Sequence, residues 1–124
     1  MKEITKAQEE VLKILWEIGE GVVSDVLEKF PDPKPAYNTV STVIRVLEKK
    51  GYVSHKTYGK THVYYPLVSK KEYAGYFFKD SLKHFFNGSL SQVVSFFASE
   101  KKASVTELEE LKRYIDKEIQ KRED

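Results

Sequence analysis

Mainly α with a single small β-hairpin is the fold class the sequence predicts, and three observations carry it. Three apolar stripes at helical spacing precede residue 50, two short runs of β-forming residues then meet at Gly59-Lys60, and helical stripes resume from residue 70 onward. Each element has its own start and stop chemistry.

Thr5-Lys6-Ala7-Gln8 has the form of a capping box, in which the threonine oxygen accepts from an early helix N–H and the glutamine reaches back. The first helix therefore runs from Lys6 to Ile18. Val11, Leu12, Leu15 and Ile18 form its apolar stripe, and Gly19 with Gly21 ends it. Val23, Val26, Leu27 and Phe30 form a second, short stripe. It is broken by Pro31-Asp32-Pro33-Lys34-Pro35, where prolines remove backbone donors and fix the chain.

The third segment, Ala36 to Lys50, carries most of the functional signal. Val40, Val43, Ile44 and Leu47 fall at i, i+3, i+4 and i+7, so one face packs on the first two helices. The other face carries Asn38, Ser41, Thr42, Arg45 and Lys49, with Thr39 beside them. Gly51 closes this helix. Tyr52 to Tyr58 reads as a strand, Gly59-Lys60 as a turn, and Thr61 to Tyr65 as a returning strand stopped by Pro66. Three helices followed by a hairpin make a winged helix-turn-helix, with Lys56, Lys60 and Tyr58 positioned to touch DNA backbone beside the third helix.

The rest of the chain is helical. Ser69-Lys70-Lys71-Glu72 is a second capping box, opening a helix with Tyr73, Tyr76, Phe77, Phe78, Leu82, Phe85 and Phe86, more aromatic surface than one helix hides alone. Asn87-Gly88 ends it. A helix from Ser89 to Ser99 carries Leu90, Val93, Val94, Phe96 and Phe97, and a last one from Ser104 to Arg122 carries Leu108, Leu111, Ile115 and Ile119. The expected organisation is a DNA-binding domain over residues 1–68 and a helical dimerisation domain over 69–124. Tyr73, Tyr76, Phe77, Leu82, Phe85, Phe86, Leu108, Leu111 and Ile115 are the candidate interface with a second copy. The alternative is that these helices fold back on the first domain in a monomer.

Composition narrows the function. A chain of 124 residues, 40% hydrophobic and 32% charged, can bury one ordinary core or two modest ones. It has no cysteine, which excludes disulfides and thiolate metal sites. No basic-then-apolar leader opens the sequence, and no apolar stretch approaches the roughly 20 residues of a membrane span, so a cytoplasmic protein without membrane insertion is expected. The net charge of +2 is unevenly spread: residues 1–33 hold four cations against eight anions, whereas residues 34–65 hold six cations against one anion, a local +5. A basic field beside an acidic flank suits a surface that meets phosphates. Small polar groups near the start of the third helix can approach base edges, and Arg45 can fork onto guanine or phosphate.

Catalysis is not expected. His55, His62 and His84 are scattered; His55 and His62 can meet across the hairpin, but two imidazoles without a carboxylate make a poor metal site. No nucleophile–base pair, phosphate-binding glycine loop or carboxylate dyad stands out, so neither cofactor nor metal is expected. The competing reading is a winged helix used as a protein-interaction module. The polar, basic face of the third helix argues against it, because protein interfaces favour aromatic and aliphatic anchors.

Several segments together resemble a known family. Tyr37-Asn38-Thr39-Val40-Ser41-Thr42-Val43, Lys49-Lys50-Gly51-Tyr52-Val53, Gly59-Lys60, Val63-Tyr64-Tyr65-Pro66-Leu67-Val68-Ser69, Phe86-Asn87-Gly88-Ser89-Leu90 and Glu107-Leu108-Glu109-Glu110-Leu111 are similar to the penicillinase and methicillin-resistance repressors. The resemblance implies a homodimer that binds inverted-repeat operators on duplex DNA and represses resistance genes. It also implies a membrane sensor protease as candidate partner, which inactivates the repressor by cutting an asparagine–phenylalanine bond in the dimerisation region. The corresponding candidate cleavage site here is Ser95-Phe96, with serine in place of asparagine. The copper-responsive branch of the family uses cysteine pairs as ligands, and their absence excludes that chemistry.

Overall fold

The computed structural model describes residues 1–123. Its elements in chain order are α1 (Lys6–Ile18), α2 (Val23–Glu28), α3 (Tyr37–Lys49), β1 (Val53–Tyr58), β2 (Thr61–Pro66), α4 (Lys70–Phe86), α5 (Leu90–Ser99) and α6 (Val105–Glu123). Two compact units divide the chain, one spanning Met1–Phe77 and the other beginning at Phe78.

The first unit is the expected winged helix. Both halves of the Thr5/Gln8 capping box are made, the Gln8 N–H donating to Thr5 Oγ1 at 3.2 Å and the Thr5 N–H to Gln8 Oε1 at 3.0 Å. Gly19, at φ +83°, ends α1 in a conformation that a side chain resists. The stripe of α1 buries Val11, Leu12 and Leu15, α2 adds Val23 and Val26, and α3 adds Val40, Ile44 and Leu47; Tyr52, Val53 and Tyr64 close the same core. Val43, expected on the apolar face of α3, is only partly buried at its margin.

Two boundaries differ from the sequence reading. The apolar spacing carries the second helix to Phe30, but α2 stops at Glu28, two residues ahead of the one that Pro31 restricts, and Lys34 Nζ donates to the carbonyls of Glu28 and Phe30 at 2.8 and 2.7 Å. Tyr52, expected as the first strand residue, lies ahead of β1 with its ring in the core and its hydroxyl donating to the Lys2 carbonyl.

The hairpin is antiparallel, with register from Val53↔Pro66 to Tyr58↔Thr61. Because side chains alternate across a strand, His55 and Thr57 share one face with His62 and Tyr64, while Lys56 and Tyr58 share the other with Val63 and Tyr65. Outside the hairpin, Gly21 forms a bridge to Tyr64: the Gly21 N–H donates to Tyr64 O at 2.9 Å and the Tyr64 N–H to Gly21 O at 2.8 Å. Glycine fits this place for steric reasons as well, since a Cβ there would stand 2.9 Å from Ile18 Cδ1 and 3.0 Å from Asp25 Cβ.

The first two turns of α4 belong to the first unit, whose edge falls at Phe77. Trp16 Nε1 donates to the Val68 carbonyl at 2.8 Å. Tyr73 packs its ring 5.7 Å from Trp16 and 6.1 Å from Tyr52, and its hydroxyl donates to Glu9 Oε2 at 2.8 Å. The Tyr73 bond, reinforced by Lys13, holds the Glu9 carboxyl below its usual range; burial, then the Glu9 bond, pushes the Tyr73 phenol up. Tyr76 donates to the Met1 carbonyl at 2.8 Å. Tyr73 and Tyr76, candidates for an interface between copies, are thus engaged within the chain's own first unit.

The second unit comprises the rest of α4 with α5 and α6. Asn87 and Gly88, both at positive φ, turn the chain, and the Gly88 N–H closes on Leu82 O at 2.9 Å. Ser89 caps α5, and Ser104 with Glu107 forms a capping box before α6. Phe86 meets Phe96 edge-on at 6.0 Å. Among the described residues, α4, α5 and α6 bury no side chain fully.

Candidate nucleic-acid interface

The polar face of α3 and one face of the hairpin line a common cleft of about 500 Å³. Ser41 and Arg45 enter it from α3, Lys60 and His62 from the hairpin turn and β2, and Ser24 from the start of α2. Local chemistry sets these positions. Burial of Val40, Ile44 and Leu47 fixes the rotation of α3, which turns Asn38, Thr39, Thr42, Arg45 and Lys49 to solvent. Gly59, at φ +64°, makes the tight tip that carries Lys60.

Arg45 folds along its own helix, with Nε 3.4 Å from Ser41 O and a terminal guanidinium nitrogen 3.4 Å from Thr42 Oγ1. Both bonds are long and solvent-exposed, so the guanidinium is free to turn outward at little cost. Of the eight sequence-derived DNA candidates, Ser41, Arg45 and Lys60 line the cleft, while Asn38, Thr39, Thr42 and Lys49 share the helix outside its lining. Lys56 stands apart. It lies on the opposite hairpin face, 3.6 Å from Glu20 and over the Tyr65 ring at 5.4 Å.

Sequence reasoning passed over His62 as a DNA-facing residue. Its ring lies edge-on to His55 at 4.4 Å, with Thr57 Oγ1 3.5 Å from His62 Nδ1. A carboxylate is also present, since His55 Nδ1 is hydrogen-bonded to Glu48 Oε2 across from α3. Even so, no group of three His, Cys, Asp or Glu side chains is arranged to hold a metal ion among the described residues. The signal for His62 was the register: the Gly59-Lys60 turn pairs it with Thr57, on the same face as the buried Tyr64.

In the second unit, Leu82, Phe86 and Leu108 are half-buried, whereas Phe85 is 79% exposed and Leu111 and Ile115 are exposed. Val93, Val94 and Phe97 of α5 and Leu108 and Leu111 of α6 line an apolar groove of about 430 Å³. Ser95 and Phe96 lie within α5, both exposed.

The chain matches the penicillinase repressor family over residues 4–117. It belongs to that family. Similar proteins include the penicillinase repressor of Bacillus licheniformis, 26% identical over 92% of this chain and 90% of that protein. The methicillin resistance regulatory protein MecI of Staphylococcus aureus (strain N315) is 28% identical over 93% of this chain and 94% of its own length. A solved structure described as a possible transcriptional regulator for arsenical resistance shares the fold, with TM-score 0.50 and 22% identity over 73% of this chain and 86% of that one. The protein is accordingly a DNA-binding transcriptional repressor with a winged-helix fold, and not an enzyme. No helix among the described residues is long and apolar enough to cross a membrane.

Proposed function

We propose that this repressor is a cytoplasmic homodimer that binds an inverted-repeat operator, each α3 lying in a major groove and each hairpin on the flanking backbone. The observation that carries the reading is the convergence of Arg45, Ser41 and Lys60 on one cleft beside an exposed polar helix face. In such a dimer the two α3 helices would meet successive major grooves about 34 Å apart. The exposed or half-buried apolar residues Leu82, Phe85, Phe86, Leu108, Leu111 and Ile115 of the second unit, with Phe77 at the edge of the first, are the proposed surface between copies. Relatives that regulate penicillinase and methicillin resistance suggest resistance genes as targets.

Release is proposed to follow cleavage at Ser95-Phe96 by a membrane sensor protease. The bond is exposed but helical, so α5 must open locally before a protease can take it in extended form. A cut there would leave α6 joined to the rest without a covalent link and loosen the coupling between half-sites.

Gel shifts against selected operator duplexes test the DNA reading. Arg45→Ala should cost roughly 1 to 3 kcal/mol if it reads a base, and Lys60→Ala should lower the salt slope by about 0.9 per lost phosphate contact. Unchanged affinity and slope in both variants would overturn it. An intact 14.4 kDa chain in derepressed host cells after β-lactam challenge would overturn the cleavage route.

A further inference from the structure

We propose that His62 contacts DNA phosphate from the cleft, and that its proton makes the repressor's DNA affinity rise as pH falls. The inference rests on the DNA-binding reading of the cleft and adds to it a residue and a regulating ion. His62 is exposed, lies on the hairpin face turned to α3, and lines the cleft with Arg45, Ser41 and Lys60. Its Nδ1 side is turned to Thr57 and its ring edge to His55. Among the described residues, no hydrogen bond is made by its Nε2, which leaves that nitrogen for an outside acceptor.

The charged groups of the cleft are the cations Arg45 on α3 and Lys60 in the turn, and Glu48 on α3 is bonded to His55. His55 of β1 is the other titratable neighbour, and Tyr64 of β2 and Tyr37 of α3 complete the set; the α2 residues in the cleft carry no charge. A phosphate entering the cleft brings an anion to His62, and a nearby anion favours the protonated imidazole. Binding therefore takes up a proton, and by linkage affinity must fall as pH rises. Histidine is the side chain whose charge changes between about pH 5 and 8, so the effect lies in the physiological range.

The test uses the full chain and a mixed-sequence duplex of about 30 base pairs at roughly 50 mM salt, where phosphate contacts dominate. From about pH 8 to about pH 6 the wild type should tighten about tenfold. His62→Gln should lose this dependence. His62→Lys, a permanent cation, should bind at about pH 8 as tightly as the wild type does at about pH 6, with little pH dependence between. His84→Gln, on exposed α4, should keep the wild-type dependence. Circular dichroism melts of each variant separate a disturbed hairpin from a lost proton. If His62→Gln binds the duplex with the wild-type pH dependence, or His62→Lys folds but gains nothing at high pH, the inference is overturned while the DNA reading stands. No duplex binding at any pH would overturn both.

Discussion

Cutting the chain after Val68, where the sequence suggests the DNA-binding domain ends, should leave a much weaker fold than cutting after Phe77. The shorter fragment keeps the Val68 carbonyl that accepts from Trp16 but loses Tyr73. The half-buried Tyr73 ring contributes about 1.5 kcal/mol through its apolar area. Its contacts with Trp16 and Tyr52 add about 1 kcal/mol, and its hydroxyl on Glu9 about 1 kcal/mol more, discounted for the exposure of that carboxylate. The loss of about 3.5 kcal/mol is a large part of the roughly 5 to 15 kcal/mol that holds a domain together. At about 4 to 8 °C per kcal/mol for a domain of this size, the melting point should drop by about 15 to 30 °C. Thermal and urea unfolding of the 1–68 and 1–77 fragments, followed by circular dichroism and by Trp16 fluorescence, measure it directly. Tyr73→Ala in the longer fragment should reproduce most of the loss. Fragments of equal stability, within about 0.5 kcal/mol, would refute the assignment of α4's first turns to the DNA-binding unit.

Two other outcomes follow from particular side chains. Burial raises the phenol pKa of Tyr52, Tyr64 and Tyr73, so these groups support the fold fully below the ordinary tyrosine value of about 10 and lose that support as pH climbs from there through their raised folded-state values. Alkaline titration should therefore show unfolding coupled to phenolate absorbance, and Tyr73→Phe should weaken the coupling. In the second unit, Phe85→Glu sets a charge on an exposed apolar position and should shift sedimentation from dimer to monomer at micromolar concentration while leaving the melting of the first unit unchanged. A variant that still sediments as a dimer would move the interface elsewhere.

The legible parts of the sequence were those where local chemistry marks both ends of an element. The first helix is bounded by a capping box and a glycine, and α1 runs from Lys6 to Ile18 as read. The polar face of α3 was equally readable, because burial of Val40, Ile44 and Leu47 leaves only one orientation for Arg45. Lys56 was harder to assign. The run Val63-Tyr64-Tyr65 is apolar on both hairpin faces, so alternation alone cannot tell which face turns to α3, and Lys56 lies on the one that does not. Tyr73 was hidden for a different reason. It opens a continuous aromatic stripe whose members look alike in sequence, yet its partners Glu9, Trp16 and Tyr52 lie far away along the chain. Lys34 likewise reaches back to the end of α2 at Glu28, a contact that spacing does not encode.

The bridge between Gly21 and Tyr64 ties the root of the hairpin to the start of α2 by two backbone hydrogen bonds, while the tip at Gly59-Lys60 has no such tie among the described residues. Root and tip are therefore open to different evolutionary change. A side chain at Gly21 would have to displace Ile18 or Asp25, which constrains the angle at which the hairpin leaves the body. At the tip, side chains can be exchanged for others without disturbing the core, and a lineage can drift toward new DNA sites by small steps that leave the fold intact.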